Sequence, residues 1–494
     1  MEKTSLYDRL GLPPDASAEE IRHAYRQLVL RLHPDLNLHL GETELFIDIQ
    51  QAYEDLSDPL RKADYDKQLP EPREIVSPLS LTTYYSQPSL IRLSEPQLIY
   101  SLLDFKLHPD TSLLLSSTPL NVSLVVDCST SMQGIRLDTV KLTAIDLIRQ
   151  LQSNDIFSLV KFNDWAELLI SAGSLSDLKS TEMKIQLLQA GGGTEIFKGL
   201  EMGLSQVNQF RSNDRVNHII LITDGRTYGD EVSCEKLADQ SSALGIGISA
   251  LGIGNQWNDK FLDHITSKTG GICQYISNIS DIRSSILGEI SRLGSSLTEQ
   301  ITFNYMPSQK VELLSAFRLQ PDSSPLVLGS PLIFGNMPRL GAMHILLEFL
   351  IKDIPTKLAN LTLASGFINY EIPRHILKTK YVQRIIFERH ISRELIQEAP
   401  PPAIINAMAL LSLYHMQERA REEVGRGDLN SAIRHMESLA GNLSKKGEND
   451  LAQTVKDEIA NIKRNQSFSE DGEKRLKYGT RSLLLPARIE EGNA

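Results

Sequence analysis

The chain has 494 residues, enough for about three or four domains, and its 51 basic and 62 acidic side chains leave a net charge of −11. That balance argues against a nucleic-acid-binding surface as the main role, no apolar run nears the roughly 20 residues that span a bilayer, and MEKTSLYDRL at the N-terminus has no signal-peptide core. Cys128, Cys234 and Cys273 lie far apart, with no C-x-x-C and no histidine at metal spacing, so buried, reduced thiols of a cytoplasmic protein are expected, with no membrane and no nucleic-acid partner.

Residues 1–69 read as a compact all-α unit. Ser17-x-x-Glu20 is a capping box, and Ile21, Ala24, Tyr25, Leu28 and Leu32 recur on one face of the helix it opens. The helix should stop at His33-Pro34-Asp35, because proline disfavours helix in the residue before it. A second helix carries Phe46, Ile49, Ala52, Tyr53 and Leu56 toward the first. The stretches YDRLGL, EEIRHAYRQLVLRLHPD, F-x-x-I-x-x-A-Y-x-x-L-S-D and RKADYD together resemble a J-domain of the DnaJ type. The resemblance implies that Arg22, Tyr25, Arg26, His33, Pro34 and Asp35 dock a DnaK-type chaperone and trigger its ATP hydrolysis. Two departures limit the basic patch: His23 and Gln27 stand where the family often has basic residues, and residues 1–70 hold eight basic against fourteen acidic side chains. A second His-Pro-Asp at 108–110 follows a strand-like alternation and is expected to be chance.

Residues 70–96, rich in proline and without period, read as a linker. Strand signals return at 97–119. From 120 to 292 strand and helix patterns alternate, which implies βαβ crossovers and a mostly parallel, doubly wound (Rossmann-like) α/β sheet. Within it the apolar run at 123–126 delivers Asp127-x-Ser129-x-Ser131 from its carboxyl end, where open α/β sheets hold ligands. Thr194 follows three glycines, and Asp224 follows the strand HIILIT. One carboxylate and two hydroxyls, joined by Thr194 and Asp224, are hard oxygen ligands suited to Mg²⁺ or Mn²⁺. The set resembles the metal-ion-dependent adhesion site of the von Willebrand factor type A domain, and all five positions match its D-x-S-x-S, Thr and Asp. The resemblance implies a non-catalytic site with an open position filled by a carboxylate of a partner protein. The run Gly245-Ile246-Gly247-Ile248-Ser249-Ala250 mimics a dinucleotide fingerprint but continues as strand instead of opening a helix, so it is discarded.

Residues 296–395 alternate in the antiparallel manner and are expected to form a β-sandwich. The order, with strands before and after the type A unit, resembles bacterial type A proteins in which a sandwich embraces that unit, and the resemblance implies that the strands at 97–119 belong to the sandwich. Residues 400–466 read as a C-terminal region of helical hairpins, most simply a cap on the sandwich, with the Arg-Gly-Asp at 426–428 as a turn whose Asp428 caps the next helix. Residues 467–494 read as a tail, loose or docking elsewhere through Lys474, Arg475, Lys477 and Arg481. With no G-x-x-x-x-G-K-[ST] loop and no nucleophile–base set, the expectation is a non-enzymatic cytoplasmic adaptor that brings a chaperone ATPase to a partner held at the metal. The alternative is a scaffold of a bacterial signalling or defence system working beside kinases, phosphatases or AAA+ ATPases. A metal-dependent hydrolase is weaker still, since no motif places a general base.

Overall fold

The computed structural model describes residues 5–32, 40–67, 77–93, 95–108, 118–175, 177–227, 229–298, 300–354, 358–372, 380–392 and 398–483. They form a multidomain chain: an N-terminal helical unit, a strand-rich sandwich, an α/β domain and a C-terminal helical domain.

In the N-terminal unit the capping box closes in both directions. Ser17 N donates to Glu20 Oε2 at 2.7 Å and Glu20 N donates to Ser17 Oγ at 3.3 Å, which satisfies two of the free amides at the start of helix Ala18–Leu32. Its apolar face meets helix Leu40–Ser57 around Ile21, Ala24, Ile49, Ala52 and Leu56, with Tyr7 and Leu10 of the first helix between them. The unit docks onto the sandwich: Phe367 enters this core, and Arg384 lies over the Phe367 ring and pairs with Asp15 and Glu20 at 3.4 and 3.3 Å.

The α/β domain is a six-stranded sheet. From one edge to the other its strands are Ala166–Gly173, Ile156–Phe162, Leu120–Asp127, Val216–Thr223, Gly247–Ile253 and Cys273–Ile276. All neighbours pair in parallel except the Ala166–Gly173 edge. Every residue of the two central strands is buried, as expected where helices cover both faces of a parallel sheet. Helix Ile196–Gln209 lies unusually close, because a Cβ at Gly199 would stand 2.7 Å from the Phe162 ring and one at Gly203 2.7 Å from Val125. Glycine at these two positions lets the helix settle onto the sheet and so sets the height of the loop that precedes it.

The sandwich consists of two five-stranded sheets packed over one apolar core. Strand Gln97–Leu107 pairs along its length with Ala342–Ile351, so strands on both sides of the α/β domain in sequence share one sheet. The linker expected over 70–96 is corrected for much of its length. Leu79–Tyr85 and Leu90–Ile91 are strands of the two sheets, and Leu79 and Leu90 are core residues. Leu79, Leu81 and Tyr85 fall on one face, a short alternation that prolines on either side obscured. Arg318 staples the sandwich to the α/β domain. Buried, it donates to Phe334 O at 2.6 Å in the sandwich and to Gly270 O and Gly271 O at 3.2 and 2.8 Å in the α/β domain.

Four helices complete the chain: Pro402–Arg426, Leu429–Lys445, Asn449–Asn465 and Glu470–Ser482. The first caps the sandwich through Ile404, Ala407, Leu411 and Tyr414 against Leu102, Phe317 and Leu346. Gly427 closes it in the left-handed conformation and Asp428 caps the second helix by accepting from Ser431 N, so Arg-Gly-Asp is a turn between helices. Of the tail expected over 467–494, residues 467–483 are described, and of the two alternatives it is the docked one, not the loose one, that they adopt. Ser469 caps a helix at 470–482 that is buried against helix Asp259–Thr269 of the α/β domain. Arg481 forms a bidentate pair with Asp263 at 2.8 and 2.6 Å. Lys477 contacts both Asp263 and Asp259, and Arg421 makes a second bidentate pair with Asp259 at 2.8 and 2.9 Å. Burial raises the Asp259 and Asp263 carboxyls, but Arg421, Lys477 and Arg481 outweigh it and hold both well below the usual range. Lys477 and Arg481, two of the basic residues expected to dock the tail, are thus counter-ions of two buried carboxylates, joined by Arg421.

Removing one partner of a buried ion pair strands the other, at a cost of about 3–5 kcal/mol. Asp263→Ala should therefore lower stability by about that amount in denaturant melts, and adding Arg481→Met should restore part of it. Because both carboxyls are depressed in the folded state, their stabilisation is complete above the unfolded carboxylate range and fades as pH falls below about 4. Acid titration followed by circular dichroism should show stability dropping there in the wild type and less steeply in Asp263→Ala.

Candidate functional site

The carboxyl ends of the two central strands bring the five oxygen-bearing residues together. Asp127 ends strand Leu120–Asp127, and a turn of 3₁₀ helix at Thr130–Met132 folds Ser131 back over it. Ser129 N donates to Asp127 Oδ1 at 2.8 Å, Ser129 Oγ and Ser131 Oγ are 3.0 Å apart, and Ser131 Oγ donates to Asp224 Oδ1 at 2.6 Å. A Cβ at Gly225 would stand 3.1 Å from Thr194 Oγ1 and 3.8 Å from Asp127 Oδ2, so Thr194 lies in the same neighbourhood as these carboxylates. Asp127, Ser129, Thr194 and Asp224 are buried, whereas Ser131 is exposed at the mouth.

Further residues, which the pattern of oxygen ligands did not flag, hold this ring in place. Thr223 Oγ1 donates to Asp127 Oδ2 at 2.6 Å. Arg136, on the first turn of helix Ile135–Gln150, contacts Asp224 Oδ2 and donates to Ser131 O at 3.3 Å. The glycine loop before Thr194 is clamped by Asn163 Nδ2 to Gly191 O at 2.6 Å and by Gly193 N to Asp164 Oδ2 at 2.9 Å. Thr130 Oγ1 ties the same loop to the first at Gly192 O, 3.0 Å. The one sequence signal for these was position. Thr223 directly precedes Asp224, and Arg136 lies one helical turn beyond the serines.

The donor chemistry fits a hard divalent cation. All five groups offer oxygen, and two of them are carboxylates. Burial pushes the Asp127 carboxyl up to about 6, while its hydrogen bonds to Ser129 and Thr223 pull it down and Asp224 pushes it further up. This carboxylate is short of positive charge, in contrast to Asp259 and Asp263. Among the described residues no group of three or more His, Cys, Asp or Glu side chains is arranged to hold a metal. The three cysteines are free thiols, and burial pushes Cys128 up to about 12, so none offers a ready thiolate.

On the N-terminal unit, Arg22 and Arg26 are exposed on helix Ala18–Leu32. Tyr25 is half-buried and stacks on Tyr53 with ring centroids 3.9 Å apart, so its ring serves packing first. Burial, helped by Arg26, lowers the His23 pKa, so among the described side chains of this helix the exposed basic ones are Arg22 and Arg26. His33, Pro34 and Asp35 lie outside the described residues.

The fold and this ring define a multidomain protein built on a type A α/β domain. More particularly, residues 5–66 match the DnaJ domain, 121–292 the von Willebrand factor type A domain, and 402–486 the domain described as Sll0103-like, C-terminal alpha-helical. The chain is thus an N-terminal DnaJ domain fused to a von Willebrand factor type A domain. It is 37% identical over 164 residues to the uncharacterized protein sll0103 of Synechocystis sp., covering 33% of this chain and 39% of that protein. It is 46% identical over 67 residues to the chaperone protein DnaJ of Streptococcus agalactiae, covering 14% of this chain and 18% of DnaJ. The chain therefore spans well under half the length of these curated relatives. Among solved structures, a von Willebrand factor type A protein from Catenulispora acidiphila superposes with a TM-score of 0.65 at 12% identity, over 83% of this chain and 98% of that one. The ArnB paralog VWA2 from Sulfolobus acidocaldarius gives 0.54 at 14% identity, over 83% and 100%. At those identities the likeness is one of fold. No helix among the described residues is long and apolar enough to cross a membrane.

Replacement of Asp127 or Asp224 by alanine removes a ligand at a strand end without opening the core. Both variants should lose Mg²⁺ and Mn²⁺ binding in calorimetric titration while keeping the wild-type circular dichroism spectrum. Titration curves unchanged in both would remove the ring as a metal site.

Proposed function

We propose that the chain is a cytoplasmic, non-enzymatic adaptor of co-chaperone type. Its DnaJ domain recruits a DnaK-type chaperone and stimulates its ATP hydrolysis, and its type A domain holds a partner protein at a Mg²⁺- or Mn²⁺-dependent site. The observation that carries the reading is the convergence of Asp127, Ser129, Ser131, Thr194 and Asp224 beyond the carboxyl ends of the central strands, in the same chain as a DnaJ domain. These five residues would hold the ion, which when bound supplies Lewis acidity to a carboxylate of the partner. Ser131, exposed at the mouth, marks the approach; Thr223 and Arg136 fix the carboxylates that would otherwise swing; and the clamped glycine loop keeps Thr194 at its height.

The docking of the DnaJ domain supports its half of the proposal. Asp15, Glu20 and the core around Phe367 face the sandwich, whereas Arg22 and Arg26 are exposed. A basic stripe of two arginines steers toward an acidic chaperone surface, and attraction between exposed charges is screened beyond about 10 Å near 0.1 M salt.

Three outcomes test this. A DnaK-type chaperone should hydrolyse ATP faster in single-turnover assays when the protein is added, and His33→Gln should erase the acceleration. Arg26→Ala should reduce stimulation more at low salt than at high. Equal rates with wild type, His33→Gln and buffer would refute the co-chaperone role. Partners captured by the full chain should be released by EDTA and weakened by Thr194→Ala; retention at equal yield in EDTA would separate partner binding from the metal.

A further inference from the structure

The ring at the strand ends is not isolated from the C-terminal helical domain. Asp224 and Gly225 are followed by Arg226, whose Nε donates to Gln256 O at 3.0 Å. On the other side of Asp224, Arg136 reaches the start of the same loop, because a Cβ at Gly254 would stand 3.4 Å from Arg136 Nη2. Gly254 has φ +69, a conformation that glycine adopts without strain, and this lets the loop turn beneath the guanidinium. Residues 254–258 therefore buttress Asp224 from two directions.

The far side of that loop belongs to the last helix, Glu470–Ser482. Lys474 Nζ donates to Asn255 O at 2.5 Å and sits 5.0 Å from the Trp257 ring centre. Glu470, on the first turn of that helix, lies 3.7 Å from Arg226. Trp257 is fully buried, donates to Gly254 O at 2.7 Å, and packs between strand Gly247–Ile253 and Tyr478. A Cβ at Gly252 would stand 2.1 Å from the indole, so the ring lies directly on the strand that pairs with Thr223. The helix itself is anchored by Lys477 and Arg481 to Asp259 and Asp263, the latter in the helix that begins where the loop ends.

We propose that the C-terminal helical domain positions the metal ring: Lys474 holds the 254–258 loop at Asn255, Glu470 pairs with Arg226, which is itself tied to that loop at Gln256, and the loop steadies Asp224 through Arg136 and through the chain of Arg226, two residues beyond it. The inference rests on the proposed metal reading and deepens it, since it makes a separate folded module set the affinity of the site. Lys474 and Glu470 are positioning residues that touch neither ion nor partner.

Trp165 and Trp257 are the chain's two tryptophans, so in a Trp165→Phe background Trp257 alone reports on the loop. In that full-length protein Mg²⁺ should shift the Trp257 emission. Lys474→Met should weaken Mg²⁺ binding in calorimetry about 5-fold or more, the lower end of typical coupling between sites. It should also silence the emission change and raise amide exchange at 225–227 as well as at 254–258. Lys474→Arg, which keeps a cation donor, should restore all three, an outcome that simple destabilisation would not give. Unchanged exchange at 225–227 in Lys474→Met would overturn the proposal, as would wild-type Mg²⁺ affinity with a silent Trp257. Failure of Mg²⁺ to bind the wild type would overturn the metal reading beneath it, and the exchange data tell that failure apart from loss of the coupling.

Discussion

Taking a carboxylate out of water costs several kcal/mol unless cations or hydrogen bonds replace the water, and the α/β domain does this at two neighbouring places with opposite solutions. Asp259 and Asp263 are saturated by Arg421, Lys477 and Arg481 from the C-terminal domain. Asp127 and Asp224 are served mainly by hydroxyls and one backbone amide, with Arg136 on the outer oxygen of Asp224. The first arrangement is closed and joins domains. The second has oxygen ligands to spare and too little positive charge, the condition under which a divalent cation is a good counter-ion.

The architecture follows from keeping those carboxylates placed. Two buried parallel strands aim Asp127 and Asp224 at one point, and the glycines of helix Ile196–Gln209 bring Thr194 down to meet them. The sandwich is stitched to the α/β domain by Arg318, and the C-terminal helices bind both. The type A unit is thus packed against both the sandwich and the C-terminal helices, with the DnaJ domain docked on the sandwich at Phe367 and Arg384.

A second buried cluster shows the same economy. His218 lies under the sheet beside Ser249 at 2.8 Å and Glu289 at 3.7 Å. Burial drives the histidine down to about 3, so it is neutral at physiological pH. Glu289 is also driven up by burial, but the bidentate Arg292 brings it down to about 2. The buried acids described here each have a specific cation or donor set, and at the strand-end ring that set is mostly hydroxyls, with Arg136 as the cation.

Local rules made much of this legible in the sequence. The capping box at Ser17 and Glu20, the buried run ending in Asp127, the three glycines before Thr194 and the Asp428 cap all depend on neighbours within a few residues, and a single chain segment carries the whole signal. Alternation likewise exposed 97–107 as a strand, and the resemblance to bacterial type A proteins placed it in the sandwich, where it pairs with 342–351. What sequence could not decide were pairings between segments far apart. Whether 79–85 is linker or strand depends on a partner strand at 101–107. Whether Lys474, Lys477 and Arg481 face water or stand inside the protein depends on the Asn255 carbonyl, Asp259 and Asp263, some two hundred residues earlier. A helix periodicity shows that a stripe of side chains shares a face. Only the tertiary structure says what that face meets, because burial of a charge is decided by the partner that compensates it.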